Sequence, residues 1–378
     1  MKFLASWLAA FPLAFCVSAP CVAATYTVTD LGTLGGNSSL GYGINAKGQV
    51  TGYSGTLGNV DRAFVYDGSM HDIGTLAGSL GGYLSDGSDI NNSGWVTGES
   101  YTTGLDVHAF LYDGTMHDLG TLGGTFSGGS AINNNGLVAG GSSTLFGQHA
   151  FLYDGTMHDL GTLGGTNSYA GDINDRGWVT GQSDLAEGGS HAFLYDGLMH
   201  DLGTVPGGTS SAGISINANG LVTGYCDMAT ANNESLSHAF LYDGTMHDIG
   251  TLGGTFSAGQ GINASGHVTG IADLPGHADV HAFLYDTLHG MVDLNSLIDP
   301  SSGWDLKSGS AINDTGQIAG FGTIGGATHA FLLTPIPEPS GLVLAAVGAL
   351  GLVAWIWRRG QPRPASPAAS DRRRKGVV

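Results

Sequence analysis

Cysteine is almost missing from this sequence. Its three copies are Cys16, Cys21 and Cys226, and the first two stand in an apolar leader, so a mature chain keeps one thiol and no disulfide can staple it. The leader cysteines follow Phe15 and Pro20 rather than a small residue, which excludes a lipoprotein anchor. Positive charge is scarce as well. Of 12 Lys and Arg, Lys2 lies in the leader and seven follow residue 357, leaving Lys47, Arg62, Arg176 and Lys307 against 30 acidic residues, a formal charge near −26 for the part between. Such a surface repels nucleic-acid phosphates and anionic lipid and suits cations or basic partners. Within the repeats described below no stretch of ten residues keeps a helical period, because glycine, of which the whole sequence has 66, interrupts every window. Catalytic signatures are missing too: there is no Gly-x-Ser-x-Gly, His-Glu-x-x-His or phosphate-binding loop.

What is present is a repeat. His-Ala-Phe stands at His108, His149, His191, His238, His281 and His329, after a degenerate copy at Arg62-Ala63-Phe64, in steps of 46, 41, 42, 47, 43 and 48 residues. Each repeat also carries Asp-Leu/Ile-Gly or a variant (Asp118-Leu119-Gly120), Ile-Asn followed after two residues by Gly (Ile132-Asn133 to Gly136), and a short Val-rich segment ending in Gly. These landmarks predict four short strands and no helix per repeat, which is the content of a propeller blade: Ser to Ile-Asn innermost, Gly-x-Val-x-Gly second, His-Ala-Phe third, Met-His-Asp outermost. Gly41, Gly87, Gly129, Ala170, Gly213, Gly259 or Gly309 precedes each Ile-Asn by three residues, as close approach of seven backbones requires. Asp113-Gly114, read as a two-residue hairpin loop, places Phe110 opposite His117 and His108 opposite Leu119. The array begins at residues 26–32 with an outer strand alone and stops at His329-Ala330-Phe331 without one. Together these fragments complete one blade, so the expected fold is an all-β, seven-bladed β-propeller closed by pairing the N-terminal strand with the last blade.

Both ends read as addresses. Lys2, an apolar run over 3–17 and Val22-Ala23-Ala24 form a secretory signal peptide over 1–24. The propeller is expected over 25–334, a linker with Pro337-Glu338-Pro339 over 335–340, a transmembrane helix over 341–357 and a basic cytoplasmic tail over 358–378. Seventeen apolar residues reach about 25 Å as a helix, short but sufficient to span, and Arg358-Arg359 beyond them favours a cytoplasmic side. The order Pro-Glu-Pro, apolar helix, arginine cluster resembles the PEP-CTERM sorting tail, which implies an exosortase-type membrane protease as partner. The extension 361–378 departs from that pattern. Over residues 28–333 the motifs His-Ala-Phe-Leu-Tyr, Asp-Leu-Gly-Thr-Leu-Gly-Gly and Ile-Asn-x-x-Gly-x-Val-x-Gly resemble the bacterial HAF-repeat extracellular proteins. That resemblance implies export and surface association, and no established chemistry.

Three constellations are candidate sites. Eleven of the 14 histidines occupy repeat positions, six in His-Ala-Phe and five in Met-His-Asp, where recurrence points to imidazole bonded to nearby backbone or Asp rather than to zinc. The variable second-to-third loops carry Asp61, Asp106, Asp184, Glu187, Asp227, Glu234, Asp273 and Asp279, an acidic face that could hold calcium although no Asp-x-Asp-x-Asp-Gly loop is present. Asp89 and Asp172 replace small residues before Ile-Asn and are expected to point into the central channel, where paired carboxylates could do acid and base work. The reading these features favour is an exported, surface- or matrix-associated binding and structural module, monomeric and without cofactor, whose partners include extracellular polysaccharide or envelope components. A carbohydrate-active enzyme using the channel carboxylates is the first alternative. A calcium-stabilised spacer is the second.

Overall fold

The computed structural model describes residues 26–58, 60–78, 84–229, 236–276 and 279–337. The leader, Glu234, Glu338, Pro339 and the apolar run 341–357 lie outside them. The described chain is all-β, built from four-stranded antiparallel sheets in sequence order, an architecture consistent with a β-propeller. One unit runs Ser85–Ile90, Val96–Tyr101, Val107–Tyr112 and Met116–Asp118, each strand paired to the next. Five units of this kind stand alone, and an eight-stranded sheet holds two more, joined by a single parallel bridge between Ser38 and Thr328. In the last of these, Trp304–Ile312, Ile318–Ile324 and Ala327–Pro335 are completed by Tyr26–Asp30 from the other end of the chain, paired Tyr26 to Pro335 through Asp30 to Phe331.

The alternation of the sequence sets the packing. In each unit the His-Ala-Phe phenylalanine and the first valine or isoleucine of the second strand are fully buried, Phe110 and Val96 for example. Clusters draw on two adjacent units, as where Ala63 and Ile73 of the first pack with Ile90, Val96 and Phe110 of the second. Each fully buried phenylalanine contributes roughly 2–3 kcal/mol of transfer free energy. The outer strands are short, three residues in most units, which leaves little unpaired edge.

Three local features differ from the sequence expectation. First, the outer hairpin pairs Tyr112 with Met116, Leu111 with His117 and Phe110 with Asp118, so its loop has three residues and Phe110 does not face His117. Asp113 builds that longer loop by accepting from Thr115 N and from His117 Nε2, with Gly114 at φ +117°. Second, five of the six glycines before Ile-Asn meet a threonine side chain of the preceding unit, whereas Gly41 lies nearest the Gly320 carbonyl. A Cβ on Gly87, Gly129 or Gly213 would overlap the hydroxyl of Thr51, Thr97 or Thr180, each of which donates to the phenylalanine carbonyl of its own unit. Where Ala170 replaces that glycine, the second strand of the unit before carries Ala139 in place of threonine. Third, two 3-10 turns, Leu294–Leu297 and Pro300–Ser302, replace the usual glycine-rich link before the last unit.

Candidate functional site

The inner strands share an irregularity that creates the central site. In every unit their register slips just before Ile-Asn, between Gly87 and Asp89 in one and Ala170 and Asp172 in another, so one residue bulges out of the ladder. The bulged residues, among them Tyr42, Ser88 and Gln260, and those that follow them line a cavity of about 240 Å³. Beside it the Ile-Asn asparagines form a girdle. Asn133 Oδ1 accepts the backbone N–H groups of Asn135 and Leu137, and its Nδ2 donates to the carbonyl of Asn174 at 3.0 Å. The same donation runs from Asn45 to Asn91, Asn91 to Asn133, Asn174 to Asn217, Asn217 to Asn263 and Asn263 to Asn313, and returns from Asn313 to Asn45 at 3.0 Å.

Asp89 and Asp172 both line this cavity. Asp89 accepts from Ile90 N of its own unit at 2.8 Å and from Ile132 N of the next at 3.0 Å. Asp172 accepts from Ile173 N at 2.7 Å and, across the unit boundary, from Ile216 N and Ser215 Oγ, both at 2.8 Å. Burial pushes the Asp89 carboxyl up to about 7, helped by the charge of Asp172 and opposed by the two N–H groups. Burial raises Asp172 as well, against its three donors. Each carboxylate thus cross-links neighbouring units.

A second site lies at a facing pair of strand residues that differs from unit to unit. The residue before the inner-strand glycine faces the residue after the second-strand glycine, and the pair is Leu40–Tyr53, Asp86–Glu99, Gly128–Gly141 and Tyr169–Gln182 in successive units. Asp86 and Glu99 thus sit directly opposite each other, a like-charge pair that costs stability. Burial raises both carboxyls, and for Asp86 the charges of Glu99 and Asp61 add to push it up to about 6. Tyr42 and Tyr53, rings 5.8 Å apart, share this surroundings, and burial together with the charge of Asp86 raises both phenols. A cleft of about 160 Å³ opens there, walled by Leu84, Tyr101, Val107 and Phe126 around Asp86 and Glu99. The loop joining two of its strands holds Leu105 at φ +72°, the one non-glycine with positive φ among the described residues, and leaves it 66 % exposed. No motif marks Asp86 or Glu99 in the sequence. Their signal was divergence at one position of an otherwise regular repeat.

Residues 162–327 match the model of a family described as "Protein of unknown function (DUF3466)". Residues 335–359 match the PEP-CTERM protein-sorting motif. The chain carries that sorting motif. It implies export, a membrane-anchored precursor sorted to the cell surface and processing by exosortase, a membrane protease. No curated protein matches the chain in sequence. Among solved structures it is similar to the fungal lectin of Aleuria aurantia (14 % identity over 69 % of this chain and 96 % of the lectin, TM-score 0.37) and to the BP39L lectin of Burkholderia pseudomallei (8 %, 83 % and 98 %, TM-score 0.44). A Hadza microbial sialidase, Hz136, is similar at 9 % identity over 79 % of this chain and 66 % of that one, TM-score 0.36. Likeness at these scores carries neither blade number nor ligand to this chain.

The remaining expected residues are placed as follows. Asp184 accepts from Asn167 Nδ2 at 2.8 Å, Asp227 from Ser210 Oγ and Ser237 Oγ, Asp273 from Phe256 N at 2.7 Å and Asp279 from Lys307 Nζ at 2.7 Å, so these carboxylates brace strand ends. Asp61 opens a third strand, whereas Asp106 and Glu187 are exposed in loops. The histidines lie on opposite faces of the outer hairpin: His108 Nδ1 bonds Asp118 at 2.8 Å, while His117 Nε2 bonds Asp113 at 2.9 Å. Pro337 ends the described chain.

Proposed function

We propose that the protein is an exported, surface- or matrix-associated module whose seven units form one closed β-propeller, and that it binds rather than converts its ligand. Ring closure is supported by the asparagine donations that return from Asn313 to Asn45 and by the pairing of Tyr26–Asp30 with Ala327–Pro335. The repeat and the sorting tail together favour a place among the HAF-repeat extracellular proteins. The observation that carries the binding reading is the division of labour within the repeat. Repeated polar groups are engaged in the scaffold, while the facing pair on the first two strands changes from unit to unit and in one unit becomes Asp86 and Glu99 beside a wall of Leu84, Tyr101, Val107 and Phe126. Carboxylate acceptors next to aromatic and apolar surface suit the hydroxyls and the faces of sugars, so extracellular polysaccharide is the ligand class.

The purified full chain, titrated with extracellular polysaccharide from its host, is expected to bind it, and Glu99→Gln or Asp86→Asn to weaken binding about tenfold, the effect of losing a charge-assisted hydrogen bond. Unchanged affinity in both variants removes this cleft as the site. Release of reducing ends by the parent protein that disappears on replacing Asp89 and Asp172 with Asn overturns the non-enzymatic reading in favour of a carbohydrate-active enzyme.

A further inference from the structure

His281 differs from its repeat equivalents at one atom. Like His108, His149, His191, His238 and His329, it uses Nδ1 to bond an aspartate of the paired outer strand, here Asp293 Oδ2 at 2.7 Å. Among the described His-Ala-Phe histidines, however, only this one also has carboxylates near Nε2: Asp305 Oδ1 at 3.6 Å and Asp279 Oδ2 at 3.9 Å. The exceptional link between the last two units makes this possible. Trp304–Ile312, which begins directly after this link, brings Asp305 of the last unit alongside His281 of the unit before.

Those separations exceed hydrogen bonds. The shorter matches the edge of a coordination polyhedron and the longer exceeds it by about 0.3 Å: two ligand atoms each 2.0–2.2 Å from a tetrahedral ion stand roughly 3.3–3.6 Å apart. One ligand atom from each of Asp279, His281 and Asp305 falls within 4.8 Å of the others. The other oxygens of the two carboxylates are taken by Lys307 Nζ, at 2.7 Å to Asp279 Oδ1 and 2.7 Å to Asp305 Oδ2, which leaves Asp279 Oδ2 and Asp305 Oδ1 on the side of His281. Asp305 Oδ1 is buried and, among the described residues, has no hydrogen-bond partner, a costly state for a carboxylate oxygen. The Nδ1 bond to Asp293 fixes the imidazole tautomer and leaves the Nε2 lone pair facing the two oxygens, the carboxylate–histidine support usual behind a metal-bound imidazole. Three carboxylates against one ammonium leave a charge of −2 around a neutral imidazole.

We propose that Asp279 Oδ2, His281 Nε2 and Asp305 Oδ1 form a binding site for one divalent transition metal of the zinc class, clasping the last two units together. The imidazole ligand and the small ligand number select against calcium, which takes six to eight oxygens. The metal bridges two units, so its binding free energy adds to the stability of the folded ring.

The full chain, purified and stripped with a chelator, is to be titrated with ZnCl2 and separately with CaCl2 by calorimetry, and its melting followed in parallel. We expect one zinc per chain and a higher melting temperature with zinc. Asp305→Asn and His281→Gln should each weaken zinc about tenfold or more, whereas His149→Gln, which alters an equivalent histidine without carboxylates at Nε2, should not. Lys307→Met, which removes the competing ammonium, should tighten zinc. No stoichiometric uptake, uptake that Asp305→Asn leaves within about twofold, or calcium bound as tightly as zinc overturns the proposal. The Lys307 variant guards against mere unfolding, since a gain of affinity requires an intact site and a loss counts against it.

Discussion

Asparagine suits the girdle because its short carboxamide accepts two N–H groups on its oxygen while donating from its nitrogen to the next unit. In the sequence that residue reads only as a turn former, and its donating half has no local signature: the acceptor is a carbonyl 41 residues away. Asp89 and Asp172 were legible as channel residues because they broke the small-residue rule. Asp86 and Glu99 were not, since they stand on unremarkable strand positions and meet only through pairing. Their juxtaposition has a pH signature. The Asp86 carboxyl, raised from 3.8 to about 6, keeps a proton that the unfolded chain has released, so the stability it confers is complete below about pH 4 and is lost as the pH rises through 6. Replacing Asp86 with Asn should therefore leave the unfolding free energy unchanged at pH 4 and raise it at pH 8. Two pKa units bound the gain at about 3 kcal/mol, and solvent screening of this partly exposed group reduces it to roughly 1 kcal/mol. Urea melts at the two pH values measure it; a variant no more stable than the parent at pH 8 contradicts the like-charge reading.

At the scale of strands the unit of specification is a pair of residues on neighbouring sheets. The Thr180 hydroxyl takes up the space that a side chain on Gly213 would need, and at the equivalent positions Ala139 and Ala170 share one buried cluster. Gly213→Ala should cost about 1–3 kcal/mol as an overpacked contact. Adding Thr180→Ala should recover much of that loss, less the bond from Thr180 to the Phe193 carbonyl. A double-mutant cycle followed by chemical denaturation gives the coupling, and additive costs would show that the two residues do not compete for space. Strand order and turn glycines followed from periodicity, whereas the hairpin register did not. Asp113 caps its own loop and adds a residue to it, and a shift of one moves every partner to the other face. The inner-strand bulge escaped notice for a related reason, since Gly-x-x-Ile continues the sequence without a break and the slip exists only relative to the partner strand.

Over the whole molecule, the ends of the repeat array were its most legible feature: an outer strand without its unit at one end and a unit without its outer strand at the other. The structure pairs these fragments over five residues and adds His329 Nδ1 to Asp30 at 2.9 Å and Leu31 N to the Ala330 carbonyl at 3.0 Å. Removing residues 26–32 should bare the edge of Ala327–Pro335, lower the melting temperature by several degrees and yield aggregates on size-exclusion chromatography. A monodisperse product with the parent's melting temperature would count against the closed ring. The same pairing decides how the molecule answers to pulling. A load applied beyond Pro335 enters along a strand flanked on both sides, by Ile318–Ile324 and by Tyr26–Asp30. Tension parallel to that strand strains its two rows of hydrogen bonds together rather than peeling them one at a time, so whatever drags on this end must break a whole seam before any unit comes free.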